Sequence, residues 1–216
     1  MALQLYIDLV SQPCRSVYLF IQKNNIPFEL KEVQLLAGEQ HSEEFRKVNL
    51  LGKVPVIKDG DFTLTESVAI LKYLAGRYKT PDHWYPADLQ SRARVDEYLD
   101  WQHTSLRPLA GKIFMMKALF PVVTGAPCPE EKMVEAQDEL AQVLKKFQEK
   151  FLQEKPYIVG AEISLADLVA VAELMQPQHR PSEAFSLPCP AQPVMVSQYS
   201  LSAWRDGPSA WPFGLA

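Results

Sequence analysis

Three short segments in the first third of the chain carry residue types that can do chemistry. Ser11-Gln12-Pro13-Cys14-Arg15 follows a strand-like run and opens a helical one. Ser11 stands where a helix N-cap is expected, and Pro13 in the first turn has no amide hydrogen to waste. The first-turn amides and the helix dipole favour a negative charge there. Two sulfur chemistries fit that spot, beside a plain helix cap. The Ser11 hydroxyl can donate to a bound thiolate, or Cys14, with its pKa lowered near a helix N-terminus, can act as a redox residue. Lys53-Val54-Pro55 places a proline where a strand should begin. A cis bond there would leave the Val54 amide and carbonyl free to pair with an extended peptide, in the manner of an added strand. In Thr65-Glu66-Ser67, again between strand and helix, Glu66 can accept from an ammonium group, while Ser67 and the first-turn amides can hold a carboxylate. A site with both signs suits the α-amino acid end of a small peptide, although a helix cap with a favourable acid would look the same.

The elements that must position these residues follow from periodicity. Strand-like alternation is expected over 3–7 and 28–33, and helical spacing over 15–23, 42–48 and 66–78. Ser42 reads as an N-cap. Two short strands at 54–57 and 61–64 flank Lys58-Asp59-Gly60-Asp61, whose Asp-Gly pair signals a tight hairpin. The order is β-α-β-α-β-β-α. Residues 80–88, with Pro81 and Pro86 and no period, read as a linker. Beyond it the pattern is helical at 89–103 and 130–153, with a proline-bearing loop expected over 120–129. Ser164-Leu165-Ala166-Asp167 reads as a capping box that opens a largely apolar helix.

The domain reading is therefore 1–79, a linker at 80–88, an all-helical domain at 89–177, and an irregular proline-rich tail at 178–216. Pro188-Cys189-Pro190 forbids a helix in that tail. If further helices are missing after 177, the apolar face from Leu168 to Leu174 is expected to be uncovered.

Composition bounds the rest. Hydrophobic residues are 47% of the 216 and charged residues 22%, enough for an ordinary folded core. A net charge of -4 without basic clusters argues against a nucleic-acid partner. No apolar run reaches the length of a membrane span, and no signal peptide is read at Met1-Ala2-Leu3-Gln4-Leu5-Tyr6. Cys14, Cys128 and Cys189 form neither a disulfide framework nor a zinc site, and a reducing, cytoplasmic location is expected.

Taken in order, these segments resemble the theta-class glutathione transferases. The resemblance is carried by Ser11-Gln12-Pro13-Cys14-Arg15, by Asn49-Leu50-Leu51-Gly52-Lys53-Val54-Pro55 and by the run from Asp59 through Glu66-Ser67 to Leu71. Trp84-Tyr85-Pro86, the segment from Arg92 to Leu99, Trp101-Gln102-His103-Thr104 and Ile163-Ser164-Leu165-Ala166-Asp167-Leu168 extend it to about Pro177. It implies a thioredoxin-like α/β N-terminal domain followed by an all-α domain, here incomplete. It implies conjugation of glutathione, as co-substrate, to small electrophiles such as haloalkanes and epoxides, with some members reducing hydroperoxides, and a homodimer as the usual assembly.

By the same resemblance Ser11 is the catalytic hydroxyl. Lys53 and Val54 hold the glycyl and cysteinyl backbone, and Glu66 with Ser67 holds the γ-glutamyl end. Thr104 and Arg107 support the electrophile site. The family's Gly-Gln-His run is here Gly38-Glu39-Gln40-His41, so either Gln40 or His41 contacts glutathione. The changed C-terminal sequence raises an alternative: an inactive isoform that binds glutathione or a full-length subunit. A thiol oxidoreductase using Cys14 is a third reading.

Overall fold

A computed structural model describes residues 2–178, so the expected tail at 178–216 lies almost wholly outside the described residues. The chain divides into two compact units, Met1–Ala87 and a second beginning at Asp88.

The first unit is built on a four-stranded sheet of β1 (Leu3–Ile7), β2 (Phe28–Glu32), β3 (Val56–Asp59) and β4 (Phe62–Leu64), in the order β2-β1-β3-β4. β1 runs parallel to β2 and antiparallel to β3, and β3 antiparallel to β4. Alternation along β1 buries Leu3, Leu5 and Ile7, as a strand with one core-facing side requires.

Helices α1 (Gln12–Lys23) and α3 (Ser67–Arg77) pack against each other. They bury Val17, Phe20 and Ile21 from one and Ile70, Leu71 and Leu74 from the other. A second cluster, Val33, Phe45 and Val56 with Tyr6, Val48 and Val54 at its margin, seats α2 (Glu43–Val48). Ser42 caps α2, accepting from the Phe45 amide at 3.1 Å. Gly60, at φ 62°, makes the expected hairpin between Asp59 and Phe62. β3 starts two residues later than the alternation predicts, because Val54-Pro55 precedes the ladder.

The segment expected as a linker is tied down. Trp84 is buried and meets Phe20 edge-on, centroids 5.4 Å apart. An aromatic ring that size carries a large apolar burial, which explains why a stretch without periodicity is nonetheless fixed.

The second unit contains α4 (Leu89–Thr104), α5 (Leu106–Ala118), α6 (Phe120–Thr124), α7 (Glu130–Lys146) and α8 (Leu165–Met175). α5 has no counterpart among the expected elements, and α6 falls in the stretch expected as a loop. Both carry prolines in the first turn, Pro108 and Pro121, where the missing amide breaks no helical bond. Gly125, at φ 71°, ends α6. α7 continues into a wider π-type turn over Phe147–Leu152. That turn buries Phe147 and Phe151 against Tyr98, with centroids 5.8 and 5.2 Å away.

α8 packs against α4 and α5. Its face from Leu168 to Leu174, expected to be uncovered, is buried: Leu168 is 5% exposed, Val169 0% and Leu174 3%. The capping box is present. Asp167 accepts from the Ser164 amide (2.8 Å), the Ser164 hydroxyl (2.8 Å) and the Ile158 amide (2.7 Å). Burial pushes the Asp167 pKa up, and these bonds pull against that. Removing the carboxylate orphans two buried amides. Hydrogen bonds to a charged group contribute roughly 1.5–3 kcal/mol each, so Asp167→Ala should cost about 3 kcal/mol. For a chain of this length that lowers the melting temperature by roughly 6–12 °C. A thermal melt checks it, and an unchanged midpoint would show that the cap supports nothing.

Candidate functional site

The site is assembled at one end of the sheet. β1 pairs Ile7 with Glu32 of β2 and Tyr6 with Val56 of β3, while β3 pairs Ile57 with Leu64 of β4. The C-terminal ends of β1, β2 and β4 and the start of β3 therefore lie side by side. The connections leaving them carry Ser11, Gln40 with His41, Lys53 with Val54, and Glu66 with Ser67. Adjacent strands are about 4.8 Å apart. The β1 and β4 exits, two strands apart, are thus separated by about 10 Å.

The turn after β1 is braced from three directions. Asp8 accepts from the Val10 amide through Oδ1 and from the Leu35 amide through Oδ2, both at 2.9 Å. Its carbonyl accepts from the Ser11 amide at 3.0 Å. Arg15, 6% exposed, donates through Nη1 to the Leu9 and Val10 carbonyls at 2.9 and 3.0 Å. Ser11 is left half-buried at the N-cap of α1, and its hydroxyl makes no bond to the helix amides. It is close enough to the Cys14 thiol to oppose the rise in that thiol's pKa. The hydroxyl is thus not committed to the helix cap and can donate to a bound anion.

Cys14 is 0% exposed, and burial pushes its thiol from 9.0 up to about 12, against the opposing effect of Ser11. It is a neutral core residue at physiological pH, which removes the oxidoreductase reading. The helix N-terminus was expected to lower this pKa; desolvation wins because the sulfur points into the core rather than toward the free amides.

Gly38, at φ 77°, begins a tight turn through Gln40 and His41. Gly52, at φ 61°, lies against it: a Cβ there would come within 3.0 Å of the Gln40 carbonyl and 3.5 Å of His41 Nδ1. Only glycine allows both the angle and the approach. Gln40 is half-buried with its Oε1 out of contact with water and unpartnered, whereas His41 is exposed. Asn49, 6% exposed, braces the next turn, donating to the Lys53 carbonyl (2.7 Å) and accepting from the Leu51 amide (3.0 Å). Lys53 is exposed, and Val54 is half-buried before a cis Val54-Pro55 bond. Glu66 is exposed at φ 66°, a left-handed conformation that costs a non-glycine residue about 1–3 kcal/mol and is common at ligand sites. Ser67, 5% exposed, begins α3 directly behind it.

Thr104 and Arg107 belong to the second unit. Thr104 ends α4, its hydroxyl 3.4 Å from the Trp101 carbonyl. Arg107 starts α5, with Nε 2.7 Å from Glu173 Oε1 and Nη1 3.0 Å from His103 Nδ1. The bracing residues Asp8, Arg15, Asn49 and Glu173 are not singled out by sequence. Only Asn49, an Asn just before a glycine turn, carries a local signal.

Residues 5–82 match the family pattern described as "Glutathione S-transferase, N-terminal domain", and 112–193 the corresponding "C-terminal domain". The second match runs past Pro177. Glutathione S-transferase theta-1 of Homo sapiens is 56% identical over 177 residues, 82% of this chain and 74% of its own. Theta-3 of Mus musculus is 50% identical over 206 residues, 95% of this chain and 81% of its own. Human glutathione S-transferase T1-1, solved in apo form, superposes with a TM-score of 0.80 at 50% identity, covering 97% of this chain and 83% of that one. A human theta-class enzyme solved with the glutathione conjugate of 1-menaphthyl sulfate gives 0.80 at 45% identity, covering 95% and 80%.

Cys14 supplies a test of the site's closure. Its folded pKa lies above its ordinary value, so the associated stability is complete below pH 9 and lost as pH rises toward 12. At neutral pH, iodoacetamide should alkylate the half-buried Cys128 and leave Cys14 unmodified, as read by mass spectrometry. Labelling of Cys14 at the rate of Cys128 would show that the turn after β1 opens.

Proposed function

The chain belongs to the glutathione S-transferase family, as a theta-class member, and on that premise we propose that it conjugates reduced glutathione to small electrophiles using Ser11 as the thiolate-stabilising hydroxyl. The observation that carries this reading is the convergence of four connections on one sheet end, with Ser11 at the N-cap of α1 and its hydroxyl unbonded to the helix amides. An extended tripeptide spans about 10 Å, the separation of the β1 and β4 exits.

The ligand would lie across the strand ends. Glu66 accepts from its ammonium, and Ser67 with the first amides of α3 holds the γ-glutamyl carboxylate. The Val54 backbone, ahead of the β3 ladder, pairs with the cysteinyl residue. Lys53 and Gln40 hold the glycyl end. Gln40 is preferred over His41 because its unpartnered Oε1 can accept from the glycyl amide, whereas His41 is exposed.

The thiol loses its proton to solvent and the resulting anion rests against the Ser11 hydroxyl and the α1 N-terminus. A hydrogen bond to a charged group contributes roughly 1.5–3 kcal/mol and a helix terminus about 0.3–1. Together these suffice for a drop of about two pKa units, or about 2.7 kcal/mol. The sulfur then attacks carbon. A carbon–sulfur bond forms as halide leaves with its electron pair, or as an epoxide opens to an alkoxide that is protonated by water. The roles of Thr104 and Arg107 rest on the family resemblance. A homodimer, action in the cytoplasm and a role in detoxification rest on the family resemblance.

Ser11→Ala should lower haloalkane turnover about 30- to 100-fold at neutral pH, in line with the two-unit shift. Glutathione affinity should stay within about threefold, because the peptide's other contacts are kept. Steady-state kinetics and ultraviolet titration of the bound thiol check both. Undiminished turnover in the variant would overturn the assignment, and binding without turnover in the unaltered chain would favour an inactive isoform.

A further inference from the structure

Inside the second unit, the junction of α4, α5 and α8 holds polar atoms that its packing leaves without partners. Tyr98 and Gln102 stand one turn apart on α4 and are both 0% exposed, so they share one face of that helix. Gln102 Nε2 donates to the Leu99 carbonyl at 3.1 Å, which leaves Oε1 as the uncommitted end of the amide. That oxygen, the Tyr98 hydroxyl and Arg107 Nη2 are shielded from bulk solvent and have no hydrogen-bond partner among the described residues. α8 brings them into one neighbourhood. It packs against α4 and α5, and its buried Glu173 accepts from Arg107 Nε at 2.7 Å. Burial, and after it the Glu173 and Asp167 charges, push the Tyr98 pKa well above its ordinary value, with Arg107 opposing. The Tyr98 hydroxyl is therefore neutral and within electrostatic range of the Arg107–Glu173 pair.

Buried polar groups left unpaired are costly, and protein interiors pair nearly all of them. The donor set says what could pair these. Gln102 Oε1 only accepts, Arg107 Nη2 only donates, and the Tyr98 hydroxyl does either. The Arg107 and Glu173 charges cancel, so neither an anion nor a cation gains by entering. An apolar group would satisfy none of the three atoms. The occupant must be small, neutral and at once donor and acceptor. We propose that this junction is an internal water site, with a buried water donating to Gln102 Oε1, accepting from Arg107 Nη2 and bonded to the Tyr98 hydroxyl. Three bonds are the usual complement of such a water. Through Arg107 and Glu173 it ties α4 to the last turns of α8, as Asp167 ties the start of that helix to the loop before it. The site lies wholly within the second unit and does not depend on the proposed reaction.

The test uses the full chain. A crystal structure at a resolution that shows ordered water should place a density peak about 2.7–3.2 Å from at least two of the three atoms. Tyr98→Phe keeps the ring and removes the hydroxyl. It should lower the melting temperature by about 2–4 °C, because the water loses a partner. A hydroxyl with nothing bonded to it predicts the opposite sign, since its removal relieves the cost of burying it. Gln102→Met should lower the midpoint by a similar amount. The double variant should lose less than the two single losses added together, because both act on one water. A junction without density, a midpoint unchanged or raised by Tyr98→Phe, or single losses that simply add would each overturn the proposal. If Gln102→Met does not fold, the density and Tyr98→Phe decide.

Discussion

Strand β1 is hydrogen-bonded on both edges, parallel to β2 and antiparallel to β3, and the first unit depends on that arrangement. It brings the end of β1, the end of β2 and the beginning of β3 to the same side of the sheet. β4, antiparallel to β3, returns to that side as well. Segments that are dozens of residues apart in sequence thereby become neighbours. No single segment gathers these residues. The register brings four connections together, each too short to fold alone.

Those connections are held by polar side chains as well as by the apolar cluster of Val33, Phe45 and Val56. Asp8 spends both carboxylate oxygens and its carbonyl on amides of the turns beside it. Arg15 gives one nitrogen to two carbonyls, and Asn49 closes the turn that presents Lys53. A backbone group inside a turn cannot pair within a ladder, and burying it unpaired costs about 1–3 kcal/mol. The bracing side chains supply the missing partners. They leave the proposed ligand groups alone: the Ser11 hydroxyl makes no bond to the helix amides, and the Gln40 Oε1 has no partner. The strained backbone at Glu66 fits the same division, since a conformation that favours glycine is tolerated where it aims a carboxylate outward.

Local chemistry was legible in the sequence, and tertiary chemistry was not. The Ser42 cap, the Asp59-Gly60 hairpin and the Ser164-Asp167 box are fixed by residues within four positions of one another, and all are in place. Ser11, Lys53, Val54, Glu66 and Ser67 all fall on connections at one end of the sheet, as a reading of strand-to-helix junctions expects. The burial of Cys14 was hidden, since its position on α1 says which turn it occupies but not that its sulfur faces the core. α6 was hidden because a proline that read as a breaker sits in its first turn, where it breaks nothing. The order at Trp84 depends on Phe20, a residue far back in the sequence.

α8 shows why the remaining functional groups resist a pattern-based reading. Its hydrophobic residues are enough to predict a buried helix, and they make its two carboxylates look like errors in the pattern. Asp167 and Glu173 are both almost fully buried, at 1% and 0% exposure. Asp167 turns back on the start of its own helix and fixes the preceding loop through Ile158. Glu173 reaches across to α5 and holds Arg107. Desolvation disfavours both, and each is compensated by the bonds it makes, the first to the start of its own helix and the second to a guanidinium on α5. In a helix chosen for burial, the informative residues are those that burial should have excluded.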